Sequence, residues 1–169
     1  MKILIAGATG FIGKELIKKL DEKGHEIVVL TRNKETARFH IPINCEIQQW
    51  DPENNPLSTN YLSDVDAVIN LSGENIASSF WTDTQKRRLI GSRIMSVRRI
   101  VEAMRAMNTK PKVFISASAV GFYGNRKNEE LRETSSAGKG FLSKICQSWE
   151  NEIAESKELG ISTVIFRLG

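Results

Sequence analysis

The sequence predicts an α/β fold built on a doubly wound parallel sheet. Three observations predict it. Short apolar runs of strand length alternate with segments of helical periodicity along all 169 residues. A glycine-punctuated turn joins the first run to the first helix, and no repeat or low-complexity tract breaks the alternation. The length is that of one domain, residues 1–169, with enough chain for a sizeable core.

The elements follow in order. Residues 3–6 are a buried strand, and Gly7, Gly10 and Gly13 mark a tight turn into a helix whose apolar positions are Phe11, Ile12, Leu16, Ile17 and Leu20, ending at Gly24. Residues 26–31 (EIVVLT) form the second strand, and residues 45–49 a weaker third after the turn-like His40, Pro42 and Asn44. Residues 51–63, with Pro52, Pro56 and several Asn, are loop with at most a short helix. Residues 67–71 are the fourth strand. A long helix then starts near Thr82, which has the capping-box spacing to Gln85, and runs to about Met107. Its apolar stripe is Ile90, Ile94, Val97, Val101 and Met104. Residues 113–116 are strand five, residues 141–159 a helix with Leu142, Ile145, Trp149 and Ile153 on one face, and residues 163–167 strand six.

Chemistry enters at the first turn. A strand running straight into a helix aims the first N–H groups of that helix at one spot, and the partial positive charge there suits a pyrophosphate. Ligands of such sheets bind at the C-terminal strand ends, and the tip of strand two selects the nucleotide: an acid there accepts from a ribose 2′-hydroxyl, while an arginine pairs a 2′-phosphate. Here the tip reads Leu30, Thr31, Arg32, Asn33, with no carboxylate. NADP is therefore favoured over NAD, against the alternative that Arg32 is an ordinary exposed arginine. Asp51 is placed to reach an adenine amino group, or else serves as an Asx-turn former in its loop.

Charge and cysteine usage narrow the classes further. Lys plus Arg exceed Asp plus Glu by 24 to 20, a net +4. Much of the excess sits in Lys86, Arg87, Arg88, Arg93, Arg98, Arg99 and Arg105, which read mostly as a solvated helix face and lack the density of a nucleic-acid footprint. Cys45 and Cys146 lie far apart without metal-ligand spacing, so neither a metal site nor a disulfide is expected, and a reducing cytoplasm fits. The N-terminal apolar run is broken by glycines before any cleavage-like site, and no stretch reaches the roughly 18 apolar residues of a membrane span. A soluble, cytoplasmic protein is expected.

GATGFIG, VINLSGENI, SASAVGFYG and GFLSK, in that order, resemble the extended short-chain dehydrogenase/reductase family, whose fold is the Rossmann-type sheet. WTDTQKRRLIGSRI with GFLSKICQSWE is similar to its epimerase/dehydratase-like, sugar-nucleotide-epimerase-like branch. The resemblance implies that Gly7, Thr9, Gly10, Phe11, Ile12 and Gly13 hold the pyrophosphate, Arg32 the adenosine side and Asp51 the adenine. It further implies that Leu71, Ser72 and Gly73 line the path to the nicotinamide ribose, with Ser116 beside them.

For catalysis the resemblance implies a tyrosine as acid/base, a lysine four residues later that tunes it and binds the ribose, and a serine on the substrate oxygen. Lys144 matches the lysine and Ser118 the serine, with Ser116 as its neighbour. The tyrosine position, however, is Gly140. Tyr123 is the tyrosine nearest the site; it is either a ring packed beside the nicotinamide or a substitute acid, and Ser118 is either a substrate ligand or a satisfied loop hydroxyl. The family also leads one to expect a C-terminal substrate-binding region that this sequence lacks, so it reads as the N-terminal fragment of a longer chain. Two functions stay open: an NADP-dependent oxidoreductase or epimerase acting on a small carbonyl or hydroxyl compound, nucleotide-sugar included, or a non-catalytic NADP-binding regulatory or scaffold protein. In the family the two long helices pair with their copies, so a homodimer is expected.

Overall fold

The structure, a computed structural model, describes residues 1–76 and 80–169. Six parallel strands form one sheet in the order β3-β2-β1-β4-β5-β6: β1 (Lys2–Ala6), β2 (Glu26–Thr31), β3 (Glu46–Gln49), β4 (Ala67–Asn70), β5 (Val113–Ala119) and β6 (Ser162–Leu168). The order reverses between β1 and β4, and that crevice is where such sheets bind ligands.

Side-chain alternation along β1 builds both faces. Leu4 and Ala6 enter one cluster with Val68, Val97, Ile100, Met104, Phe114 and Ile153. Ile3 and Ile5 enter the other with Ile17, Val29, Ala37 and Ile69. Each fully buried aliphatic side chain contributes roughly 1.5–3 kcal/mol, so the core alone enforces the register of β1 against β2 and β4. A one-residue slip would exchange the two faces.

Among the described residues four α-helices cover the sheet: α1 (Phe11–Glu22), α2 (Lys34–His40), α3 (Asp83–Arg105) and α4 (Phe141–Ala154). The α3 start is as read from sequence: Thr82 is the N-cap, and its hydroxyl accepts the Gln85 N–H at 3.2 Å. Four readings need correction. α2 replaces the turn expected around His40; at seven residues with Ala37 alone buried it carries no readable periodicity. The α1 stripe begins at Gly13 and Ile17, because Phe11 and Ile12 are 92% and 47% exposed. In α3 the sheet-side core takes Val97, Ile100, Val101 and Met104, Leu89 is buried outside that cluster, and Ile90 and Ile94 are left half-buried. α4 ends at Ala154 and continues as a 3₁₀ turn over Glu155–Leu159.

α3 lies beside α4 and the 3₁₀ turn that follows it, joined by Arg98 to Glu152 in α4 and by Arg105 to Glu155 in the turn at 3.4 Å. No helix among the described residues is long and apolar enough to cross a membrane.

Candidate functional site

The C-terminal ends of β1, β2 and β4 converge on a cavity of about 350 Å³, within the range of small-molecule sites. Its walls are Gly7, Thr9 and Gly10 from the β1–α1 turn, residues 30–33 at the β2 tip, residues 50–53 after β3 and residues 71–74 after β4.

The three glycines do different work. Gly7 has φ +85, and a Cβ there would lie 2.6 Å from the Leu71 carbonyl carbon, so both conformation and space demand glycine. Gly13 does not line the cavity: it is buried where a Cβ would run into the Gly7 carbonyl oxygen and lie 2.6 Å from the Ala8 Cα, and its role is close packing of α1 on β1. Gly10 is the N-cap of α1 with φ −75, a backbone open to any residue; a Cβ there would meet only the Gly7 oxygen, at 3.3 Å. It stands at the cavity wall. No side chain caps α1, so the N–H groups of Phe11, Ile12 and Gly13 have no intrahelical acceptor. Phe11 and Ile12 can hold an anion only through these backbone groups, since their side chains lie outside the cavity lining.

At the β2 tip, the Asn33 side chain accepts the Thr36 N–H at 2.9 Å and starts α2, while the Thr31 hydroxyl accepts the Asn33 N–H at 3.3 Å. This brace presents Arg32 at the cavity. Among the described residues no carboxylate lies within 4 Å of its guanidinium, although Asp51 and Glu53 line the same cavity. Asp51 does form the turn of its own loop: its carboxylate accepts the Glu53 N–H at 3.2 Å and the Asn54 amide at 2.7 Å. Sequence reasoning missed Thr36, Ala37 and His40 from α2, and Trp50, Glu74 and Ser92. Asn33 followed by Thr36 was the one available sign of the α2 start.

Leu71, Ser72 and Gly73 line the β4 side. Ser116 stands behind them: fully buried, it accepts the Asn70 amide at 3.3 Å, and the Asn70 oxygen accepts the Ser72 N–H at 3.2 Å. Its contribution is to set the Ser72 backbone. Arg93 adjoins Gly73; burial pulls its guanidinium below the ordinary range.

The residues expected to be catalytic are not brought to this cavity. Ser118 lies within β5, rather than after it, and donates to Glu150 Oε1 at 2.6 Å. Arg167 grips both Glu150 oxygens at 2.8 Å and donates to the Tyr123 hydroxyl at 2.8 Å, with its guanidinium 3.6 Å from the centre of the Phe122 ring. The glutamate holds Arg167 above its already high range, so it is charged at every accessible pH. Tyr123 is buried in this network. Lys144 is exposed on the first turn of α4 and does not line the cavity. Gly140, the α4 N-cap, has φ +100 and ψ 177, a region almost closed to tyrosine. Here the helix begins after that position.

A crevice at the sheet's switch point, an uncapped helix start and a glycine-walled turn are the marks of a dinucleotide fold, and known proteins agree. The model of the NAD dependent epimerase/dehydratase family matches residues 3–169. An epimerase family protein of Mycobacterium leprae is 34% identical over 167 residues, 99% of this chain and 52% of its own. Epimerase family protein YfhF of Bacillus subtilis is 35% identical over 170 residues, 100% of this chain and 54% of its own. The chain spans about half the length of the curated relatives it matches. Among solved structures, human epimerase family protein SDR39U1 with NADPH superposes with a TM-score of 0.79 at 26% identity, covering 99% of this chain and 53% of that one. A nucleoside-diphosphate sugar epimerase of Corynebacterium glutamicum superposes at 0.80 with 30% identity, covering 99% and 33%. Motif order, strand order and site position converge with these matches: the chain belongs to the NAD dependent epimerase/dehydratase family.

Proposed function

We propose that the chain binds NADP(H) across the β1–β4 crevice and forms the cofactor-binding part of an oxidoreductase or epimerase acting on a small carbonyl or hydroxyl compound, nucleotide-sugars included. The observation that carries the cofactor choice is Arg32, at the cavity with no carboxylate within 4 Å among the described residues. A 2′-phosphate supplies the charge that this fork lacks. One matched structure, human SDR39U1, was obtained with NADPH, which supports the same reading; others in the fold were obtained with NAD.

The N–H groups at the start of α1 hold the pyrophosphate, Gly10 leaves room for it, and Ser72 and Gly73 lead toward the nicotinamide. The bound cofactor supplies the hydride. Use of Ser118 on the substrate oxygen requires its release from Glu150, Lys144 meets the ribose only when its exposed side chain turns toward the cavity, and Tyr123, held by Arg167, is the nearest phenol. Fluorescence titration tests the cofactor choice: the wild type binds NADPH at least tenfold more tightly than NADH, and Arg32→Ala removes most of that preference. Equal affinities overturn the choice of NADP, and failure to bind either overturns the dinucleotide reading.

A second reading, a non-catalytic NADP-binding regulatory or scaffold protein, is favoured by Gly140, whose backbone does not suit a tyrosine, and by the outward position of Lys144. NADPH oxidation by any carbonyl compound excludes it. We also propose a homodimer in the cytoplasm, on a narrower basis than the full apolar stripe: Val97, Val101 and Met104 serve the sheet, and Ile90 and Ile94 remain beside them. Light scattering shows a dimer mass at tens of micromolar if this holds, and a monomer mass if it does not.

A further inference from the structure

Arg93 is a half-buried cation without a counter-ion. One terminal nitrogen donates to the Leu89 carbonyl at 3.0 Å, the other to the Glu74 carbonyl at 2.9 Å, and the guanidinium lies 5.4 Å from the Trp149 ring centre. Among the described residues no carboxylate comes within 4 Å of it; Glu74, the nearest acid, pairs with Arg88 at 3.4 Å instead. The other guanidiniums that are withdrawn from water, those of Arg99, Arg126 and Arg167, are each paired with a glutamate.

A desolvated charge with no partner is costly, and the two carbonyls return only part of that cost. The same contacts fix the fork rigidly, with its remaining N–H groups unclaimed. Beside it the buried Trp149 indole N–H also has no acceptor. A guanidinium with N–H groups to spare beyond its two carbonyls, in contact with an indole whose N–H has no acceptor, points to an acceptor brought from outside.

Gly73 is the opening. It lines the cavity, and a Cβ on it would stand 3.3 Å from both Cζ and Nη2 of Arg93. Gly73 lines the cavity while the guanidinium lies where its Cβ would point, so Arg93 stands against the cavity wall at that residue. Arg32 lines the cavity at the β2 tip, and Arg93 stands behind its wall at Gly73.

We propose that Arg93 is an anion-binding residue, meeting a phosphate or carboxylate of the bound ligand across the side-chain-free face of Gly73. This rests on the cavity being the ligand site proposed above. The anion is either the cofactor's pyrophosphate or an acidic group of a second ligand, the substrate.

Calorimetric titration of the chain with sodium pyrophosphate, with NADP⁺, and with inorganic phosphate after saturation by NADP⁺ tests the proposal and separates the two sources. Arg93→Met weakens binding of at least one of these anions tenfold or more, Arg93→Lys weakens it less, and Gly73→Ala weakens it by covering the fork. Loss of NADP⁺ and pyrophosphate binding together assigns the anion to the cofactor; loss of phosphate binding alone assigns it to a second ligand. The melting temperature of Arg93→Met without anions stays at or above that of wild type, since an unpaired charge is gone. Arg93→Met and Gly73→Ala that both bind all three probes as wild type does overturn the proposal. Should Arg93→Met not fold, wild-type anion affinity in Arg93→Lys and Gly73→Ala does the same. Wild-type protein that binds pyrophosphate but not NADP⁺ defeats the dinucleotide reading and leaves Arg93 standing.

Discussion

Around the ends of β1, β2 and β4, hydrogen-bonding capacity is left over among the described residues: the first N–H groups of α1, the Arg32 fork and, behind Gly73, the Arg93 fork, which holds two carbonyls and no carboxylate. Around the ends of β5 and β6, a few residues away, the polar groups satisfy one another, with Ser118, Glu150, Arg167 and Tyr123 closed into a network. The first region is built to receive a ligand, and its unsatisfied donors are the cost of being ready. The second is built to hold α4 and β6 together, and any substrate that uses Ser118 must compete with a carboxylate 2.6 Å away. Catalytic residue types therefore say less about a site than whether their hydrogen-bonding capacity is already taken.

The comparison predicts opposite responses on its two sides. The largest effect on the fold comes from the network. Glu150→Ala leaves Arg167 without its carboxylate in a largely buried setting, where Glu150 is 11% and Arg167 19% exposed. Folding stability falls by about 3 kcal/mol, read by denaturant unfolding, with NADPH affinity unchanged. A large loss of affinity would mean that the two regions are coupled.

The mirror-image variant is Gly10→Val. The φ of −75 accepts valine, so the fold survives, while the branched side chain enters the space before the α1 N–H groups. Cofactor affinity falls by about 2 kcal/mol or more, on the order of thirtyfold, and circular dichroism stays as in wild type. Retained affinity would show that Gly10 serves only the turn.

Tyr123→Phe sharpens the boundary with the smallest effect. The hydroxyl accepts one charge-assisted bond from Arg167, which keeps Glu150, the Glu133 carbonyl and the Phe122 ring. The cost is about 1 kcal/mol of stability. A change in turnover larger than that of stability would give Tyr123 a chemical role.

Sequence alone determined the order of the six strands and the three long helices, the glycine turn and the β2 tip, because these depend on local patterns: apolar periods of two and 3.6, a Thr82 cap three residues before Gln85, an arginine directly after a strand. Local patterning also marked Gly7, Gly10 and Arg32 at the cavity, and the family resemblance added Leu71, Ser72 and Gly73. It did not distinguish the packing glycine, Gly13, from the wall glycine, Gly10, because that depends on which backbone lies opposite. It did not show α2, whose seven residues bury one side chain. Tertiary structure alone decided that Ser118 and Tyr123 are tied to Glu150 and Arg167, partners 32 and 44 residues away, and that Arg93 is held by two carbonyls with no carboxylate within 4 Å among the described residues. The physical reason is the same in each case: a side chain's availability is set by what the folded chain packs against it, and long-range pairing leaves no trace in local spacing.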